Sequence, residues 1–139
     1  MIGLRAFGAH YAGLTRRFAA SLGLHPTDAA ALAEILYAED RGEPLSPTTL
    51  SRLLPLSPQA TTAVLARLEA AGYAARSRDP HDGRRVTVRT QSAIHGPASA
   101  FFTPLATALD DMLASYAPDF LSQVEAFLTA LDATMADLE

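Results

Sequence analysis

The chain has no cysteine and no lysine. Without a thiol there can be no disulfide, no thiolate metal ligand, no cysteine nucleophile and no thiol-based redox sensing. No apolar run approaches the roughly 18 residues that span a bilayer. The opening Met1-Ile2-Gly3-Leu4-Arg5 is not followed by the apolar block and small-residue cleavage site of a secretory signal. The expectation is a cytoplasmic protein without membrane attachment. What is present, 139 residues that are 49% hydrophobic and 19% charged, suits one globular domain with a core rather than a two-domain enzyme.

Positive charge is missing from the last third of the chain. Residues 91–139 carry seven acidic side chains and no basic one, whereas residues 41–90 carry eight arginines against four acids. The net charge of −4 therefore hides a basic middle, and local charge governs contact with a polyanion more than the total does. Only the middle segment suits phosphates.

The apolar pattern reads mainly as helix. Leu4, Phe7, Tyr11, Leu14, Phe18 and Leu22 recur at three-four spacing and form one stripe, closed by Gly23. Such a seam packs internally or against a second copy. Ala29 to Glu39 reads as a second helix with Leu32, Ile35 and Leu36 on one face, stopping near Arg41-Gly42. Glu43-Pro44-Leu45 is long enough only for a stub of strand. Ser46-Pro47 and Ser57-Pro58 are each an N-cap followed by a first-turn proline. They open a short helix to about Leu54, with Leu50, Leu53 and Leu54 as its apolar side, and a longer one to about Ala71, ended by Gly72. Two helices joined by a three-residue turn form a helix-turn-helix.

In the longer helix Thr61, Val64, Leu65 and Leu68 make the inner face, leaving Gln59, Ala60, Thr62, Ala63, Ala66 and Arg67 outside. Tyr73–Arg78 and Arg85–Arg89 then read as strands flanking Asp79-Pro80-His81-Asp82-Gly83-Arg84, a turn-forming tip. A helix-turn-helix followed by a basic hairpin is a winged helix. Two further helices are expected from about Pro97 to the end, split at Ala117-Pro118-Asp119, with Pro104 kinking the first or marking its start. The fold class is thus mainly α with a small β-hairpin wing.

Catalytic patterns are absent. There is no nucleophile elbow, phosphate-cradling glycine loop or pair of catalytic carboxylates at a strand-to-helix junction, so no enzyme and no cofactor are expected. The histidines at 10, 25, 81 and 95 show no metal-ligand spacing. His81 reads as a wing-tip residue, His25 as a helix cap and His10 as a core or interface residue. Tyr11, Arg17, His25 and Tyr37, from the first two helices, are the candidates for gripping a small aromatic acid by stacking and charge.

The run Ser57-Pro58-Gln59-Ala60-Thr61-Thr62-Ala63-Val64-Leu65-Ala66-Arg67-Leu68-Glu69-Ala70-Ala71-Gly72-Tyr73, followed by Arg76-Ser77-Arg78-Asp79-Pro80-His81-Asp82-Gly83-Arg84-Arg85, resembles the MarR family of bacterial transcription regulators. The resemblance extends over essentially the whole chain. It implies an obligate homodimer, in which residues 1–23 and 93–139 interlock as dimerisation helices and residues 24–92 form a DNA-binding lobe. It further implies a repressor on a pseudo-palindromic operator. Phenolic or other aromatic anions bound between the dimerisation helices and the lobe would alter DNA affinity.

Carried onto these residues, the resemblance places Ser57, Gln59, Thr62 and Ala63 nearest the bases of a major groove. Gln can pair bidentately with adenine, and Thr can offer hydroxyl or methyl to thymine. Arg67 is expected towards a phosphate, Arg84 in a minor groove with Asp82 orienting it, and Arg76, Arg78 and Arg85 on backbone phosphates. Ala63 departs from the polar or basic residue frequent there, and Thr90–Pro97 departs from the family's threonine-acid-x-glycine run. The thin reading helix and overall negative charge leave an alternative, a winged-helix protein-interaction module that does not bind DNA specifically. Arginines tied up in internal salt bridges favour that alternative.

Overall fold

The computed structural model describes residues 2–137. Their order is α1 (Ile2–Leu22), α2 (Pro26–Asp40), α3 (Pro47–Leu53), α4 (Pro58–Ala70), β1 (Ala74–Arg78), β2 (Val86–Thr90), α5 (Ser92–Leu113) and α6 (Pro118–Ala136). The architecture is the expected one, helical with a single hairpin.

The local chemistry explains the element ends. Ser46 and Ser57 sit in extended backbone, and their hydroxyl oxygens accept the N–H of Thr49 and Ala60, each at 3.1 Å. The proline that follows each lacks only an N–H that would have had no partner in the helix. At the other ends, Gly23 and Gly72 adopt φ of 65° and 73°, a left-handed conformation that costs a residue with a Cβ. The amide of the next residue then turns back, from Leu24 to the Ala19 carbonyl at 2.9 Å and from Tyr73 to the Leu68 carbonyl at 3.0 Å.

By contact the chain divides into two compact units, residues 1–101 and 102–139. The first holds the core. Phe18 of α1, Leu32 and Ile35 of α2, Leu50 of α3, Val64, Leu65 and Leu68 of α4, Val88 of β2 and Ile94 of α5 are all essentially inaccessible. Each such side chain contributes about 1.5–3 kcal/mol of transfer free energy. The inner face of α4 is the predicted set of Thr61, Val64, Leu65 and Leu68. The hairpin pairs antiparallel, Ala74 with Thr90 through Arg78 with Val86. The Leu45 carbonyl accepts the Val88 N–H at 2.7 Å, which fastens the Glu43–Leu45 stub alongside β2. In the second unit no described residue is buried. Its helices leave Leu109, Met112, Phe120 and Phe127 in solvent, as the turn between them leaves Tyr116, whose ring stacks on that of Phe120 with centres 5.4 Å apart.

Several expectations need correction. α5 starts at Ser92 rather than near Pro97 and continues through both Pro97 and Pro104. Burial of Ile94 and Ala98 anchors its first turns, so tertiary packing overrides the proline signal. Leu53 is 51% exposed, because a seven-residue helix presents only Leu50 fully inward. The strands begin one residue later than the alternation suggested. His25 occupies the N-cap position of α2 but makes no side-chain cap bond, since an imidazole cannot reach back as a serine oxygen does. His10 is exposed, which removes the core alternative and leaves the interface one.

Candidate nucleic-acid interface

α4 is held from behind by its apolar face and from the side by one ion pair. The Arg67 guanidinium donates from Nε and Nη2 to the two oxygens of Asp28, at 2.8 and 2.7 Å. Asp28 lies in the first turn of α2, and its side chain is only 2% exposed. A buried carboxylate needs such a partner, and a two-pronged guanidinium contact supplies both charge and direction. The same hydrogen bonds raise the Arg67 pKa further above its ordinary value. Arg67 therefore locks α4 onto α2, a partnership that sequence reasoning missed.

At the N-terminus of α4, Ser57, Gln59, Thr62 and Ala63 are all exposed. The Ser57 oxygen caps the helix, and the Thr62 hydroxyl donates to the Pro58 carbonyl at 3.0 Å. What this strip offers outward is the Gln59 amide, the Thr62 methyl and remaining lone pair, and the Ala63 methyl.

The wing sorts its arginines into bound and unbound. Arg76 donates to both oxygens of Glu69, Nε at 3.0 Å and Nη2 at 2.8 Å, and its main-chain amide joins them at 3.1 Å. These bonds hold the Glu69 carboxyl below its usual range and raise Arg76. Arg78 donates to the Gly83 carbonyl at 2.8 Å, bracing the tip. The Asp79 carboxylate accepts the amides of His81 and Asp82 at 2.8 and 3.3 Å. Those amides depress its pKa. Asp82 accepts the main-chain amide of Arg84 at 3.1 Å, so it orients Arg84 through the backbone of the tip and leaves the guanidinium unbound. Among the described residues the Arg84, Arg85 and Arg89 side chains make no hydrogen bond or ion pair.

The four effector candidates are exposed, and no hydrogen bond or ring contact joins any two of them. Tyr11 stacks on Phe7 with ring centres 6.1 Å apart, and Tyr37 carries Arg41 at 5.5 Å from its ring centre. Arg17 and His25 face solvent. Among the described residues no cluster of histidines and carboxylates has the form of a metal site, and no helix is long and apolar enough to cross a membrane.

Comparison with known proteins follows the same lines. The sequence model of the MarR family matches residues 22–85. An uncharacterised HTH-type transcriptional regulator of Bacillus subtilis, YcgE, is 34% identical over 122 residues, 87% of this chain and 77% of that one. Among solved structures, a mutant MepR from a multidrug-resistant S. aureus clinical isolate superposes with a TM-score of 0.70 at 15% identity, over 95% of this chain and 94% of that chain. NadR in complex with 4-hydroxyphenylacetate gives 0.67 at 18%, over 94% and 89%. At those identities the structures show a shared fold.

Proposed function

This chain belongs to the MarR family, and from that premise we propose that it is a transcription regulator that binds a pseudo-palindromic operator as a homodimer and represses from it. The observation that carries the reading is the exposed strip of Gln59, Thr62 and Ala63 on α4 together with a wing whose Arg84 guanidinium has no internal partner among the described residues. In this reading residues 24–92 form the DNA-reading lobe, and 1–23 and 93–139 are dimerisation helices. Gln59 and Thr62 read bases in the major groove, with Ser57 and Ala63 alongside. Arg84 enters a minor groove, where a guanidinium meets concentrated negative potential. Arg85, Arg76, Arg78 and Arg67 meet backbone phosphates, the last three from side chains already positioned by internal bonds, and Asp82 holds the tip in place. Because Tyr11, Arg17, His25 and Tyr37 are all exposed, a small aromatic or lipophilic ligand gripped by them would need the partner subunit as its second wall.

The test is binding to the DNA upstream of the protein's own gene at two salt concentrations, wild type beside Arg84→Ala. The expected result is a specific, steeply salt-dependent complex, weakened at least tenfold in the variant with a salt slope lower by about 2, one contact being lost from each subunit. Binding no tighter than to random DNA would overturn the reading. That outcome would favour the second one, a protein-interaction module, which the engagement of Arg67 and Arg76 in internal ion pairs supports.

A further inference from the structure

At the wing tip a side chain and a main-chain amide are placed to react with each other. Asp82-Gly83 is the chain's single Asp-Gly step, and the sequence contains no asparagine. Six of the other aspartates, at 28, 40, 110, 111, 119 and 132, lie within helices. In a helix the Cα–Cβ bond tilts towards the N-terminus, away from the amide that follows, and in each case the next residue carries a Cβ that crowds the approach. Asp79 precedes Pro80, which has no N–H to lose, and Asp137 precedes a branched leucine.

These obstacles are missing at residues 82 and 83. Both are exposed, Gly83 has no side chain, and a Cβ placed on it would meet nothing within 4 Å. Of the amides from His81 to Arg85, that of Gly83 alone has no hydrogen-bond acceptor among the described residues. Those of His81 and Asp82 reach Asp79, that of Arg84 reaches the Asp82 carboxylate, and that of Arg85 reaches the Asp82 carbonyl at 2.9 Å. The bond from Arg84 also holds the Asp82 carboxyl folded forward along its own peptide link, on the side of the Gly83 nitrogen. An unbonded nitrogen beside a tethered carboxyl needs only a local rotation to meet it.

We propose that the wing tip is a site of spontaneous covalent modification, at which Asp82 passes through a cyclic imide to isoaspartate. The Gly83 nitrogen attacks Cγ of the Asp82 carboxylic acid. The new C–N bond forms, a Cγ–O bond breaks, and the amide proton leaves with the hydroxyl as water. A second water then opens the imide. Opening at Cγ restores aspartate, whereas opening at the original peptide carbonyl leaves the chain running through Cβ and Cγ, with the α-carboxylate as a side group. The water lost is returned, so the isomerisation consumes no co-reactant. The isomer adds a methylene to the main chain and withdraws the acceptor from the Arg84 amide, which frees the backbone that aims Arg84.

The experiment is a long, warm incubation of the full chain, without DNA, in mildly acidic heavy-oxygen water, followed by tryptic digestion and mass spectrometry. Residues 79–84 lie between the cleavage points at Arg78 and Arg84 and leave as one peptide. Each closing and opening of the imide builds a solvent oxygen into the carboxyl left at residue 82, and the isomer becomes an acceptor for an isoaspartate-specific methyltransferase. Heavy oxygen at Asp82 and methyl acceptance are expected in this peptide, at a rate matching that of the free peptide of residues 79–84. Gly83→Ala, which the open space around Gly83 admits, should slow both about tenfold, equivalent to about 1.4 kcal/mol of barrier. Asp82→Glu should abolish them while keeping the charge, because the longer acid closes only a larger, slower ring. No heavy oxygen at Asp82, uptake spread over the other aspartates, a native rate about tenfold below that of the free peptide, or an unchanged rate in either variant would each overturn the site. The readout needs no operator, so it stands or falls apart from the DNA reading.

Discussion

Asp28 and Arg67 share one ion pair but sit in unlike surroundings, the carboxylate enclosed and the guanidinium about half exposed. Deleting one partner is therefore not equivalent to deleting the other. Without Asp28 the guanidinium can turn to water, whereas without Arg67 a buried charge is stranded. Arg67→Met is expected to lower Tm roughly twofold more than Asp28→Asn does, checked by thermal unfolding of both variants. Glu34 offers a second residue-level test. Burial raises its pKa, so the folded state holds that proton more tightly than the unfolded state. Its contribution is then present at low pH and lost as pH rises through the folded value. Glu34→Gln should raise Tm by about 2 °C at neutral pH and leave it unchanged near pH 4. Glu69, held low by Arg76, has the opposite sign and stabilises above the ordinary carboxylate range. Little of this was legible in the sequence, since Asp28 and Arg67 lie 39 positions apart and no local pattern joins them.

Elements were far more readable, where their signals are local. The serine-proline pairs before α3 and α4 fix both starts because a hydroxyl and a missing N–H act within one turn. Ser46→Ala and Ser57→Ala should each cost about 1 kcal/mol, or about 3 °C in Tm, while the glycine variants should cost only a few tenths of a kcal/mol. An equal loss with glycine would show that the hydroxyls act other than as caps. The start of α5 was illegible for the converse reason. Pro97 signals a break locally, and the burial of Ile94 and Ala98 that overrides it depends on elements distant in sequence. The wing was recognisable from its turn chemistry and alternating strand, but the division of its arginines into braced and unbraced was not. Arg76 meets Glu69 only once the hairpin has folded back beside α4.

At the scale of the whole molecule, residues 1–101 carry the core and the remainder carries none among the described residues. The three-four stripe on α1 was visible in the sequence, yet only its C-terminal part is covered. Phe18 is buried, whereas Phe7 is 64% and Tyr11 55% exposed. α6 repeats the pattern with Phe120, Val124, Phe127 and Leu128 outward. Exposed apolar faces of this extent mark interaction surfaces, and a second copy of the chain is the proposed cover. Phe127→Glu should convert the dimer to monomer in sedimentation at micromolar concentration and abolish cooperative operator binding. A dimer that survives the change would place the interface elsewhere.

A coreless C-terminal unit also has a consequence for gene dosage. If pairing completes the fold, the active species grows with the square of copy number while monomers predominate, so halving synthesis lowers it about fourfold. Control by such a regulator would behave as a threshold, switching over a narrow range of expression instead of fading in proportion to it.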